Sequence, residues 1–258
     1  MGWYGEFPPY VSVAERRKKA ASKITALKKK GQIVSPVVLE SRVIAKTFWG
    51  KAWCDNLESY SDYANRLPRG RTYVRNGSVI DLQINGGAIE ALVSGSSIYQ
   101  VKISISALST KNWKTITKEC SGKIDSLIEL LQGKFSKAVM EIMTRQKTGL
   151  FPHPKEIKLS CSCPDWADMC KHVAAVLYSI GARLDECPEA LFLLRQVDQA
   201  DLITQASKTS LATATQETAP VLADSDLSAL FGIDIALSTE RGANKKILKK
   251  KSVKRKRD

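Results

Sequence analysis

The sequence predicts an α+β fold, and three observations carry the prediction. Residues 71–106 hold three turn signals, Asn76-Gly77, Asn85-Gly86-Gly87 and Gly95-Ser96-Ser97, between segments that alternate apolar and polar side chains. That is the pattern of an antiparallel meander. Apolar residues at helical spacing bracket the region on both sides. Beyond it, CSCPDWADMCKH at 161–172 concentrates three of the six cysteines and one of the two histidines ahead of a further helical pattern. The expected architecture is an antiparallel β-meander with flanking helices, then a small β-hairpin and helix module held at that motif, then a disordered basic tail.

Each element has a local reason. Pro8 and Pro9 block a helix start within residues 1–13. Residues 14–30, rich in Ala, Lys and Arg, lack Gly and Pro before position 31 and predict a helix. Ala20, Ile24 and Leu27 share one face of it, leaving the lysines in water. VVLESRVIAKTFWGKAWCDNLES (37–59) begins β-rich and turns helical after Phe48, with Trp49, Trp53 and Leu57 on one core-facing stripe. In the meander, Val79, Asp81, Gln83 and Asn85 alternate with Ile80, Leu82 and Ile84, and Val101, Ile103 and Ile105 alternate with Lys102 and Ser104. Residues 109–147 read as helix, with Ile124, Leu127, Ile128 and Leu131 before a break at Gly133 and Phe135, Val139, Ile142 and Met143 after it. FPHPKE (151–156) is a proline-punctuated connector, and His153 sits in it as an exposed loop residue. EIKLSCSC predicts a strand. HVAAVLYSIGARL (172–184) predicts a helix turning Val173, Leu177, Ile180 and Leu184 inward. TQASKTSLATATQETAPVLA is low in apolar bulk and reads as a linker. DLSALFGIDIAL (226–237) is an apolar island that either folds back on the body or docks on a partner. The resulting organisation is an N-terminal α+β domain at 1–150, the motif's module at 151–203, a linker at 204–223, an amphipathic segment at 224–240 and the tail at 241–258.

The cysteine-rich motif asks for a metal. Thiolate and imidazole are the ligands zinc prefers, and a closed structural site uses four. Cys161, Cys163, Cys170 and His172 supply C-x-C, six intervening residues, then C-x-H. Alternate residues on a strand share a face, so Cys161 and Cys163 can point at one ion. Residues two apart do not share a helical face, so Cys170 must precede the first turn of the helix that holds His172. One structural zinc with no open coordination position is the expectation. Trp166 would cap it, and Asp165 and Asp168 would tune or cap the loop. Cys54, Cys120 and Cys187 read as reduced thiols packed like small hydrophobes, which points to a reducing compartment such as the cytoplasm, or the nucleus of a eukaryote.

CSCPDWADMCKHVAAVLY closely resembles the SWIM-type zinc finger, whose pattern is C-x-C, a variable gap and C-x-H. TFWGKAWCDNLE, RGRTYVRNGSV and DLSALFGIDI are similar to stretches of bacterial SWIM zinc finger proteins. The resemblance implies zinc on Cys161, Cys163, Cys170 and His172, no enzymatic activity, and interaction with DNA or proteins. The finger recurs in bacterial partners of SWI/SNF-type ATPases, in plant Mutator-like transposases and in eukaryotic recombination factors. A helicase-like ATPase of the SWI/SNF type is therefore the implied partner. The tail after about residue 241 lies outside the family's pattern.

Composition agrees. The net charge is +14; residues 15–30 carry +7 and residues 241–258 carry +9, leaving −2 for the rest. Basic arms on a neutral body favour a polyanion, nucleic acid first and an anionic membrane second; with the resemblance, DNA is the nucleic acid expected. In the tail, Lys249, Lys250, Lys251, Lys254, Arg255, Lys256 and Arg257 are the candidate phosphate contacts. A second candidate surface is RLPRGRTYVR (66–75), where Arg69, Arg71 and Arg75, with Arg66, surround Tyr73 at a strand edge. No apolar run reaches the roughly 20 residues of a membrane span, and the first 20 residues lack the apolar core of a secretory signal. No G-x-x-x-x-G-K-[ST] phosphate loop occurs. The competing reading is a pure protein-interaction module with incidental basic arms.

Overall fold

The structure is a computed structural model that describes residues 11–59, 65–121, 123, 135–202 and 204. All of these lie in the first of two compact units, Met1–Thr213. The helical pattern at 124–131, nearly all of the linker, the amphipathic segment at 224–240 and the tail at 241–258 fall outside the described residues.

Four strands form one antiparallel sheet in the order β1-β2-β3-β4: β1 (Val79–Asn85), β2 (Ala88–Ser94), β3 (Ile98–Ile105) and β4 (Ile157–Cys161). Two of the three turn signals, Asn85-Gly86-Gly87 and Gly95-Ser96-Ser97, make the hairpins of the meander, with Ile84 opposite Ile89 and Ile89 opposite Ile103. β4, which leads into the cysteine motif, forms no hairpin of its own. It pairs with β3, placing Ile103 opposite Leu159 and Val101 opposite Cys161.

The helices are α1 (Val13–Lys29), α2 (Phe48–Glu58), α3 (Leu67–Arg75), α4 (Thr110–Ser121), α5 (Lys137–Met143), α6 (Lys171–Glu186) and α7 (Ala190–Arg195). Two segments differ from expectation. The start of the 37–59 stretch is irregular; Val37 and Ser35 nevertheless bond the edge of β1, through Val37 N to Val79 O (3.1 Å) and Leu82 N to Ser35 O (2.9 Å). Residues 71–75 end a helix and are no strand. Asn76-Gly77 caps that helix: Gly77 has φ 66, its N–H bonds Val74 O, and Ser78 N bonds Tyr73 O, the double bond of a Schellman motif. A hairpin turn and a helix stop both need a residue at positive φ, so the same dipeptide serves either.

Among the described residues α6 is the central element of the first unit. Twelve of its sixteen residues are buried, around its circumference and not on one face, because it packs against α2, α3 and the sheet. Small residues permit the approach. A Cβ on Gly70 of α3 would lie 2.6 Å from Ala174 Cβ and 2.8 Å from the Ala174 carbonyl carbon. The stripe Trp49, Trp53 and Leu57 is buried as expected, and Trp53 Nε1 donates to Leu177 O at 2.8 Å. α2 begins without a local cap; Asp185, at the far end of α6, accepts from Thr47 N (3.1 Å) and Thr47 Oγ1 (2.7 Å). One hydrophobic core runs from Val37 to Leu202.

Candidate metal centre

β4 ends at Cys161, and its pairing continues one residue further, with Ser162 N on Gln100 O (3.0 Å) and Gln100 N on Ser162 Oγ (2.9 Å). That pairing fixes the backbone from which Cys161 and Cys163 project. Cys170 is the N-cap of α6, in extended conformation, and its sulfur accepts from Val173 N at 3.5 Å. His172 lies in the first turn and is buried. The requirement that Cys170 precede the helix and His172 enter it is met.

The four ligand atoms lie within 4.8 Å of one another. His172 Nδ1 is 3.8 Å from both Cys161 Sγ and Cys170 Sγ. Sulfur at about 2.3 Å and nitrogen at about 2.0 Å from one ion, at a tetrahedral angle, stand about 3.6 Å apart. Donor chemistry and spacing therefore fit one zinc ion, with Nδ1 as the ligating nitrogen. Nε2 is buried with no protein hydrogen-bond partner among the described residues.

The imidazole is clamped by two rings. Tyr99 stacks on it at 4.4 Å between centroids, and Tyr73 meets it edge-on at 5.3 Å. Two cations close over Tyr73, the Arg16 guanidinium at 5.0 Å and Lys171 Nζ at 5.9 Å from the ring centre. These ring and cation partners escape sequence reasoning, because they come from α1, α3, β3 and α6, and no spacing pattern links them.

The thiols titrate as a set. Hydrogen bonding from Cys161 holds Cys170 down at about 3 against the opposing effect of burial, helped by His172 and the Val173 N–H. The same bond, with burial, pushes Cys161 up, and burial raises Cys163. Away from the cluster, burial pushes Cys54 to about 12 and Cys120 to about 11, as inert packed thiols require.

The SWIM zinc finger family model matches residues 148–181. These residues form a SWIM zinc finger. The finger's strand is part of the meander's sheet, and its helix is the core helix α6. Over 163 residues the chain is 35% identical to the uncharacterized protein Rv2102 of Mycobacterium tuberculosis, a match covering 62% of this chain. The chain spans 58% of that relative's length. No solved structure matches the chain.

The finger's loop departs from expectation. Trp166 does not cap the site; it is 94% exposed, whereas Met169 is buried. Asp165 turns the loop back on itself by accepting from Ala167 N (3.3 Å) and ties it to α3 through an ion pair with Arg66 (3.2 Å), which leaves the indole outside. Asp168 is exposed. His153 is exposed as expected and caps the short 3-10 turn Pro154–Glu156 by accepting from Lys155 N.

The arginines of 66–75 are not grouped around an open ring, since Tyr73 is buried. Arg69 is exposed. Arg71 is engaged by Glu58 and by the Tyr178 hydroxyl (3.1 Å), and Arg75 Nε donates to Arg42 O (2.8 Å). Lys249, Lys250, Lys251, Lys254, Arg255, Lys256 and Arg257 lie outside the described residues. Among the described residues no helix is long and apolar enough to cross a membrane.

Proposed function

We propose that the chain is a non-enzymatic adaptor that binds nucleic acid, DNA ahead of RNA, and works beside a SWI/SNF-type helicase-like ATPase. A SWIM finger is a binding module, and its four protein ligands would fill a tetrahedral zinc site, leaving no position for a substrate. The observation that carries the nucleic-acid reading is α1. This basic helix is fastened to the body beside the finger, by Ala20 in the core, Arg17 Nε on Asn76 O (3.3 Å) and Lys19 Nζ on Ser96 O (3.2 Å). A positive helix held at a fixed place offers phosphates an ordered surface, and each phosphate neutralised releases condensed counterions. The ATPase rests on the resemblance of TFWGKAWCDNLE and DLSALFGIDI to bacterial SWIM proteins.

Salt dependence tests the reading. Binding through six to ten phosphates weakens on the order of a thousandfold between low and moderate salt, whereas an apolar protein interface barely responds. A DNA affinity that is absent or insensitive to salt would favour the pure protein-interaction module. Affinity purification from the source cell with and without nuclease then asks whether an ATPase co-purifies and whether nucleic acid bridges it.

A further inference from the structure

We infer that Trp166 and the cations beside the finger form a path for single-stranded DNA, with the indole stacking an unpaired base. The inference rests on the nucleic-acid reading above and adds which surface is used and which strand state it takes. Trp166 is 94% exposed, on a loop whose two ends, Cys163 and Cys170, belong to the four-donor cluster and whose Asp165, next to the indole in sequence, is paired with Arg66. A large aromatic held out of the surface by an anchored loop has given up burial it would ordinarily take.

The surroundings select the occupant. Arg66, the N-cap of α3, holds the loop through Asp165, and Arg69 in the first turn of the same helix is exposed. Lys171 follows ligand Cys170 directly and shares the Tyr73 ring with Arg16, so the finger and the N-terminal turns of α1 adjoin. Lys18 continues the positive charge outward on α1 and is exposed, beside Arg17, whose guanidinium is held on Asn76. Of the acids nearby, Asp165 is neutralised by Arg66 and Glu15 is engaged in the capping box with Ser12; Asp168 is exposed beside Trp166. An aromatic platform joined to a run of cations is the arrangement that binds single strands, where bases stack on the ring and the backbone follows the charge. Bases within a duplex are already stacked on one another and leave the indole nothing to cover it.

The test uses the zinc-loaded full chain, a fluorescent oligodeoxythymidylate of about a dozen nucleotides, within the usual site size, and a duplex of equal length. Trp166→Ala should weaken single-strand binding on the order of tenfold or more, and Trp166→Phe should recover most of it. Duplex affinity, zinc content and the salt slope should stay at the parent's values in both variants. Lys18→Gln, which leaves the Arg17 and Lys19 anchors of α1 in place, should instead lower the salt slope by about one. Single-strand affinity untouched by Trp166→Ala, or a parent that prefers the duplex, overturns the inference while leaving salt-dependent DNA binding intact. Absence of any salt-sensitive DNA binding overturns both readings together.

Discussion

Cys161, Cys163 and Cys170 stand close enough that ionising one raises the cost of ionising the next. Of the three, Cys170 is the thiol shifted toward the thiolate, by the Cys161 hydrogen bond, whereas Cys161 and Cys163 are shifted the other way. Zinc must displace thiol protons as it enters. Its affinity should therefore rise with pH through the thiol range, which competition against a chromophoric chelator in mildly acidic and mildly alkaline buffer will measure; equal affinities would contradict the thiol assignments. Removing a ligand acts at the same scale. Cys163→Ser should abolish stoichiometric zinc by elemental analysis and open the 164–169 loop to protease. Because Cys161 and His172 sit on elements of the common core, the variant should also melt at a lower temperature in a single transition. An unchanged melting temperature with a protease-resistant loop would show that the metal does not support the fold.

Helix α6 does two jobs. Its N-terminus supplies Cys170 and His172, and its body fills the core between α2, α3 and the sheet. The junction with α3 depends on the missing side chain of Gly70, since an added methyl would meet the Ala174 backbone at 2.8 Å. Backbone cannot swing aside as a flexible side chain does. Gly70→Ala should cost about 1–3 kcal/mol of stability, read by denaturant melts. Because α3 also carries Tyr73 against His172, zinc affinity should fall with it. A variant as stable as the parent would mean that the two helices can separate without loss. The start of α2 illustrates the same dependence. Thr47 makes no side-chain cap bond of its own; the carboxylate that serves it, Asp185, lies 138 residues along the chain.

For the whole molecule, the charge divides between a helix built into the body and a tail. α1 should supply DNA affinity without the tail, so deleting residues 241–258 should weaken non-specific binding and lower the salt slope, yet leave zinc content and residual salt-dependent binding. Unchanged affinity in the truncated chain would remove the tail from the interface. The turns at 85–87 and 95–97, the alternating strands, the Trp49–Trp53–Leu57 stripe and all four zinc ligands were legible because each is a local matter. Side-chain period, glycine's freedom at positive φ and the softness of sulfur act within a few residues. The helix at 67–75 was not legible, because Asn76-Gly77 satisfies a hairpin and a helix stop equally.

By itself the sequence determined the donor set and the meander, through residue chemistry and spacing that no distant partner alters. Tertiary structure decided that the finger's strand joins the meander's sheet, that its helix becomes the core, that Tyr73 and Tyr99 hold the ligating imidazole, and that Trp166 faces water. Those outcomes turn on contacts between segments far apart in the chain, where packing and ion pairing choose among conformations that local preference leaves nearly equal in energy.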